Sequence, residues 1–166
     1  MGRRDDSLEA LDAATPAFRR YARALAAGAP AVFADALVLE ALEDVVRRIR
    51  ARELRPASGE DARIAVYAAL TASANRKLRG HGETAPSARH PAIVHGLASL
   101  AFDDRAALLL VALEGFGYDA AAQMLGATRE TALVRLMRAR AALLGCDQRP
   151  SGARRAGTHP HLRVVK

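Results

Sequence analysis

Few residues in this chain are of a type and spacing that could carry covalent or metal chemistry. The five histidines are His81, His90, His95, His159 and His161. Only His159-Pro160-His161 brings two together, and solvated side chains account for that pair better than metal ligands. A single cysteine, Cys146, excludes an internal disulfide and a cysteine zinc cluster, and just past a helix end it reads as an inert thiol. The carboxylate pairs Asp5-Asp6 and Asp103-Asp104 sit where helices begin, which is favourable electrostatics rather than acid–base machinery. Gly115-Phe116-Gly117 has no strand before it and so does not make a nucleotide-binding loop. The expectation is therefore no enzyme, no catalytic residue, no metal and no cofactor.

Arginine chemistry remains. Lys+Arg number 25 against 18 Asp+Glu, and Lys77 and Lys166 are the only lysines. Guanidinium forks grip phosphates and carboxylates bidentately, so the net charge of +7 points to an acidic partner, a nucleic acid or an acidic protein face. One set is placed to use this. On a wheel of about 100° per residue, Leu133, Leu136, Met137, Leu143 and Leu144 fall on one face, with Thr131, Arg135 and Arg138 opposite. An apolar stripe backed by Thr and Arg suits a helix whose outer face meets phosphates and base edges.

Helical periodicity dominates the elements that would position these residues. Leu8, Leu11, Phe18, Tyr21, Ala22 and Leu25 recur at three- and four-residue steps up to the stop Gly28-Ala29-Pro30. A second run from Val32 to Ile49 ends among Arg47, Arg48, Arg50, Arg52 and Arg55, favourable charges at a helix C-terminus. After the turn Pro56-Ala57-Ser58-Gly59, a third run carries Ile64, Val66, Tyr67 and Leu70 to about Arg79. Residues 80–91 are polar with two Gly and two Pro, the composition of a linker. Beyond it, Leu97–Leu100 opens a helix, Asp103-Asp104 precede a run from Arg105 to Glu114, and Gly115 breaks it. Tyr118–Leu125 is a short helix closed by Gly126, and Thr128 caps the next. Short helix, glycine turn and longer basic helix make a helix-turn-helix.

The 166 residues include 39 alanines, no Trp and only 4% aromatics. That suits helices packed through small side chains and does not suit a sandwich of β-branched and aromatic strands. The expected fold is all-α: two small helical modules, 1–79 and 92–147, joined by a flexible linker at 80–91 and followed by a basic disordered tail at 148–166. The tail's Arg149, Arg154, Arg155, Arg163 and Lys166 give it a charge of +5. Without apolar anchors in the linker, the modules are expected to move relative to each other unless a partner clamps them. The N-terminus turns acidic where a signal peptide would turn apolar, and no uncharged apolar run is long enough to span a bilayer, so a cytoplasmic location is expected.

The second module resembles a known family. Leu97-Ala-Ser-Leu100, Arg105-Ala-Ala-Leu108-Leu109-Leu110-Val111, Glu114-Gly115-Phe116-Gly117-Tyr118, Ala121-Ala122, Leu125-Gly126, Thr131 and Arg135-Leu136-Met137-Arg138-Ala139-Arg140 are similar to region four of extracytoplasmic-function (ECF) sigma factors. The first module resembles sigma region two through Phe18–Leu25, Asp35-Ala36-Leu37-Val38-Leu39-Glu40, Asp61–Tyr67 and Asn75-Arg76-Lys77-Leu78-Arg79. The resemblance implies a promoter-directing subunit with core RNA polymerase, promoter DNA and an anti-sigma factor as partners. It implies polymerase contacts at Asp35, Leu37, Val38 and Glu40. DNA contacts would fall at Asn75, Arg76, Lys77 and Arg79 near the −10 element, and at Thr131, Arg135 and Arg138 near the −35 element.

The chain departs from the family at four positions. Ala36 and Leu39 stand where the polymerase-binding Asp and Gln are usual, and Leu133 and Val134 where Lys and Ser are usual in the recognition helix. These positions bring in a second resemblance, to the sigma-like domain of PhyR-type regulators, which implies capture of the anti-sigma factor NepR in a general stress response without promoter binding. Asp35-Ala36-Leu37-Val38, Arg63-Ile64-Ala65-Val66-Tyr67 and Leu108-Leu109-Leu110 with Leu113-Glu114-Gly115-Phe116 carry it. Against it, no strand–helix alternation of a receiver domain is present, and the final helix has four Arg to one Glu.

Overall fold

Long alanine-rich helices set the architecture, and their small side chains let them pack closely. The computed structural model describes residues 2–81 and 85–147. Helices α1 (Gly2–Leu25), α2 (Ala31–Arg50) and α3 (Gly59–His81) form the first module; α4 (Ala92–Ala98), α5 (Phe102–Leu108), α6 (Tyr118–Met124) and α7 (Arg129–Asp147) form the second. No strand occurs among the described residues, as the all-α expectation requires. The expected tail and Gly82–Thr84 of the expected linker lie outside them.

The boundaries follow from local chemistry. Helix α1 passes through Pro16, and one turn back the Thr15 hydroxyl donates to the Leu11 carbonyl at 3.2 Å. Gly28, at φ +100°, turns the chain towards α2. A reciprocal capping box opens α3: the Asp61 amide donates to Ser58 Oγ, and the Ser58 amide donates to Asp61 Oδ2. Helix α5 widens into a π-helical turn over Leu109–Leu113. Gly115, at φ +76°, closes it in a Schellman-like motif in which the Phe116 amide donates to the Leu110 carbonyl at 3.0 Å. Arg105 is buried and donates to the Leu97 carbonyl at the end of α4, a carbonyl that also accepts the Leu100 amide at 3.2 Å.

In the first module α1, α2 and α3 pack mutually; in the second α7 lies across α4, α5 and α6. The modules also touch. Helix α1 meets the π turn, α4 and α5, and α3 meets α6, so one contiguous core runs from Leu11 to Ala139. The linker composition pointed to independent modules, but the structure joins them by packing. Pro86 supplies an anchor that composition did not signal: a Cβ placed at Gly28 would come within 3.0 Å of it.

Candidate functional site

The helix-turn-helix forms as its sequence requires. Gly126, at φ +57°, terminates α6, and Thr128 Oγ1 accepts the Thr131 amide at 3.2 Å to start α7. The face α7 buries differs from the wheel expectation. Its core positions are Ala132, Leu136 and Ala139, with Leu143 packed beside them. Leu133, Val134 and Met137 are 38, 54 and 63% exposed, and Leu144 is exposed too. Small alanines at 132 and 139 occupy the covered face beside Leu136, which turns the larger Leu133, Val134 and Met137 outward.

The expected DNA-reading cations are partly committed elsewhere. Arg135 donates to Asp103 Oδ2 at 2.9 Å and is largely covered; Arg138 donates to Asp104 Oδ1 at 2.6 Å while remaining exposed. The Asp104 carboxylate holds the Arg138 guanidinium above its ordinary pKa. Asp103 and Asp104, expected as helix N-terminal charges, therefore also tie α5 to α7. Thr131 is exposed, as are Arg129 and Arg140; Arg129 pairs with Asp119 across the turn at 3.2 Å.

In the first module, the four cluster residues Asn75, Arg76, Lys77 and Arg79 lie near the end of α3. The Asn75 side-chain oxygen accepts from Arg79 Nε at 2.7 Å. Lys77 donates to Glu40 Oε2, Ser73 Oγ donates to Glu40 Oε1 at 3.0 Å, and Arg76 lies 3.6 Å from the same carboxylate. Lys77 foremost holds the Glu40 carboxyl below the usual range, with Ser73 and Arg76 adding to it. A residue expected to face polymerase and two expected to face DNA thus meet in one cluster. Leu37 and Val38 are 0 and 3% exposed. They are core residues holding α2 down, which corrects their expected place on a contact surface; the three- and four-residue steps of the helix put Val32, Ala36 and Leu39 outside instead. Asp35 is partly exposed, near Arg19 and Arg23.

Residue reading overlooked the junction of the modules. The π turn and Gly115 swing Glu114 and Phe116 back onto α1 and α3. The Glu114 side chain is 1% exposed and accepts Arg20 Nε at 3.2 Å, Arg20 Nη2 at 2.9 Å and the Tyr67 hydroxyl at 2.7 Å. Phe116 meets Tyr67 edge-on with ring centroids 5.0 Å apart, and Tyr67 in turn meets Phe18 and Tyr21. Four of the chain's seven aromatics gather here. Burial, then the Glu114 bond, pushes the Tyr67 hydroxyl well above its ordinary pKa, so it stays a donor. No local pattern announces a pairing between residues 94 apart.

Among the described residues, no group of three or more His, Cys, Asp or Glu could hold a metal ion, and no helix is long and apolar enough to cross a membrane.

Residues 91–143 match the family model described as Sigma-70, region 4. The fold is similar to that of the sigma factor RpoE, solved in complex with the anti-sigma factor NepR from Bartonella quintana. The TM-score is 0.68 at 23% identity, over 84% of this chain and 95% of that one. It is also similar to the anti-anti-sigma factor PhyR, solved with the anti-sigma factor NepR from the same organism. There the TM-score is 0.60 at 22% identity, over 81% of this chain and 48% of that one. No curated protein matches the sequence. Residues 91–143 are thus similar to sigma region four, and both resemblances drawn from the sequence, to ECF sigma factors and to the PhyR sigma-like domain, are met in fold. Together these findings support a sigma-factor-like role.

Proposed function

We propose that this protein is an ECF-type sigma factor that binds core RNA polymerase, directs it to a promoter in the cytoplasm, and is restrained by an anti-sigma factor. The observation that carries this reading is the exposed face of α7, on a two-module sigma fold, bearing Arg129, Thr131, Arg138 and Arg140. Modules 1–79 and 92–147 divide the work. Asn75, Arg76, Lys77 and Arg79 serve the −10 element, the α7 face the −35 element, and Asp35 and Glu40 the polymerase. Arg135 supports Arg138 from within the α5–α7 contact. Arginines that neutralise phosphates release condensed counterions, so affinity for DNA falls steeply with salt; Asp104 and Asp119 compete with the phosphates for Arg138 and Arg129. Run-off transcription with core polymerase tests the reading: a promoter-specific product is expected, and none from any candidate promoter overturns it.

The outward Leu133, Val134 and Met137 favour a second reading. With Val32, Ala36 and Leu39 also outward on α2, the two surfaces expected to meet DNA and polymerase are more apolar than phosphate or clamp contacts need. Such faces suit helices of a protein partner. On this reading the chain imitates a sigma factor and captures an anti-sigma factor, as partner switching in a general stress response would require. Co-purification discriminates: polymerase subunits support the first reading, and a small helical partner without them supports the second.

A further inference from the structure

Three arginines of α7 meet carboxylates, and the three pairs differ in which half is covered. Arg135 is largely covered and donates to the partly exposed Asp103 at 2.9 Å, so this pair holds α7 against α5. Arg138 and Asp104 have the opposite arrangement. The guanidinium is 62% exposed and the carboxylate only 12%, with Arg138 Nη2 donating to Asp104 Oδ1 at 2.6 Å. In the third pair both halves are open: Arg129 is 59% and Asp119 77% exposed, 3.2 Å apart. Burial decides what each pair costs to break. An exposed pair is held by little, so Arg129 leaves Asp119 for a phosphate almost freely. Arg138 leaves a covered carboxylate behind, and a covered charge that loses a guanidinium is penalised far more heavily than a solvated one. Asp103, one residue away, adds a second negative charge that favours the Arg138 cation where it stands.

We propose that Asp104 is an internal counter-ion that withholds Arg138 from DNA, so that the free protein engages phosphate with one arginine fewer than α7 presents. This rests on the DNA-binding reading of α7 and deepens it. The two adjacent carboxylates of α5 then do different work: Asp103 anchors a covered arginine, and Asp104 restrains an exposed one. Arg129 and Arg140 meet phosphate first, because neither is held by a covered carboxylate. The affinity of the chain for DNA is thereby lower, and less dependent on salt, than its outward arginines imply.

Fluorescence anisotropy of the full chain with a labelled DNA duplex of mixed sequence, in salt from about 50 to 200 mM, tests this. Asp104→Asn and Asp119→Asn each raise the net charge by one, so any general gain in attraction is common to both. Asp119→Asn should show that gain alone. Asp104→Asn should bind more tightly than Asp119→Asn at the low end. Its slope of log K against log[salt] should steepen by about 0.9, because one more phosphate is neutralised. Its advantage over the parent should therefore shrink about threefold across that range. Arg138→Gln, whose amide can still donate to Asp104, should leave the parent's slope unchanged, yet should cancel the steepening when added to Asp104→Asn. A purely structural pair would change stability and leave these slopes alone. Circular dichroism shows that the helices persist. If the parent binds DNA and Asp104→Asn behaves as Asp119→Asn does, the counter-ion role is overturned while the DNA-binding reading stands. If neither the parent nor any variant binds DNA at low salt, that reading falls and takes the proposal with it. Should Asp104→Asn fail to fold, Arg138→Gln decides alone: an unchanged slope supports the proposal, and one shallower by about 0.9 overturns it.

Discussion

Glu40 illustrates how one side chain can serve two faces. It lies between Lys77, Ser73 and Arg76 of α3, and the Lys77 bond foremost depresses its pKa. A carboxyl whose folded pKa lies below its unfolded value contributes stability above the unfolded value, near 4.5, and loses that contribution as pH falls through the folded value. Glu40→Gln should therefore weaken the fold at neutral pH. The cluster is partly solvated, so the loss should stay under about 1 kcal/mol. The difference between variant and parent should shrink steadily in acid below about pH 4. Urea titrations at several pH values check both; a difference that grows in acid would remove the assigned cause. The same variant takes one carboxylate from Arg76 and Lys77, which should strengthen DNA binding at low salt if these cations meet phosphate.

At the scale of the element, α7 separates two ways of turning a helix. The wheel puts Leu133 and Met137 with Leu136, whereas the structure buries Leu136 and leaves Met137 largely in solvent. Leu136→Ala should cost about 2–5 kcal/mol, as for a buried leucine, while Met137→Ala should stay within about 0.5 kcal/mol. Equal losses in denaturant titrations would restore the wheel. The start of α3 provides a second check. Alanine ordinarily favours a helix over glycine by about 1 kcal/mol. A Cβ at Gly59, however, would stand 2.7 Å from the Ala10 Cβ on α1. Gly59→Ala should thus destabilise by about 1–3 kcal/mol through overpacking. Adding Ala10→Gly should recover part of the loss; no recovery would place the strain elsewhere.

For the molecule as a whole, the shared core predicts coupled unfolding. Leu11 at one end and Ala139 at the other belong to one cluster that passes through Phe18, Tyr67 and Phe116. Calorimetry should give one transition whose calorimetric and van't Hoff enthalpies agree. Phe116→Ala removes the ring that joins the modules and should cost about 3–5 kcal/mol, after which the endotherm should broaden or split. Two separate transitions in the parent would mean that the inter-module contact carries little energy. Charge acts on this scale too: at net +7, association with nucleic acid or an acidic partner should slow markedly as salt screens the long-range attraction.

Much of this protein was legible from the order of its residues. Apolar steps of three and four marked the helices, glycines at 28, 115 and 126 marked their stops, and Ser58 and Thr128 marked two starts, because helix formation and capping are settled within a few residues of chain. The helix-turn-helix and its sigma resemblance rest on the same local chemistry. Tertiary structure decided which face of each helix is covered. Leu37 and Val38 went inward, Leu133 and Met137 outward, since small alanines at 132 and 139 admit a closer neighbour than any wheel of hydrophobicity registers. It also decided which charges are spent. Arg135 faces Asp103 and Lys77 faces Glu40, whereas the sequence offered each only as a cation. Glu114 shows the limit most clearly: its partners Arg20 and Tyr67 lie 94 and 47 residues away. A contact at such separation exists only once the chain has folded, because packing of whole modules, rather than any neighbouring residue, brings its two halves together.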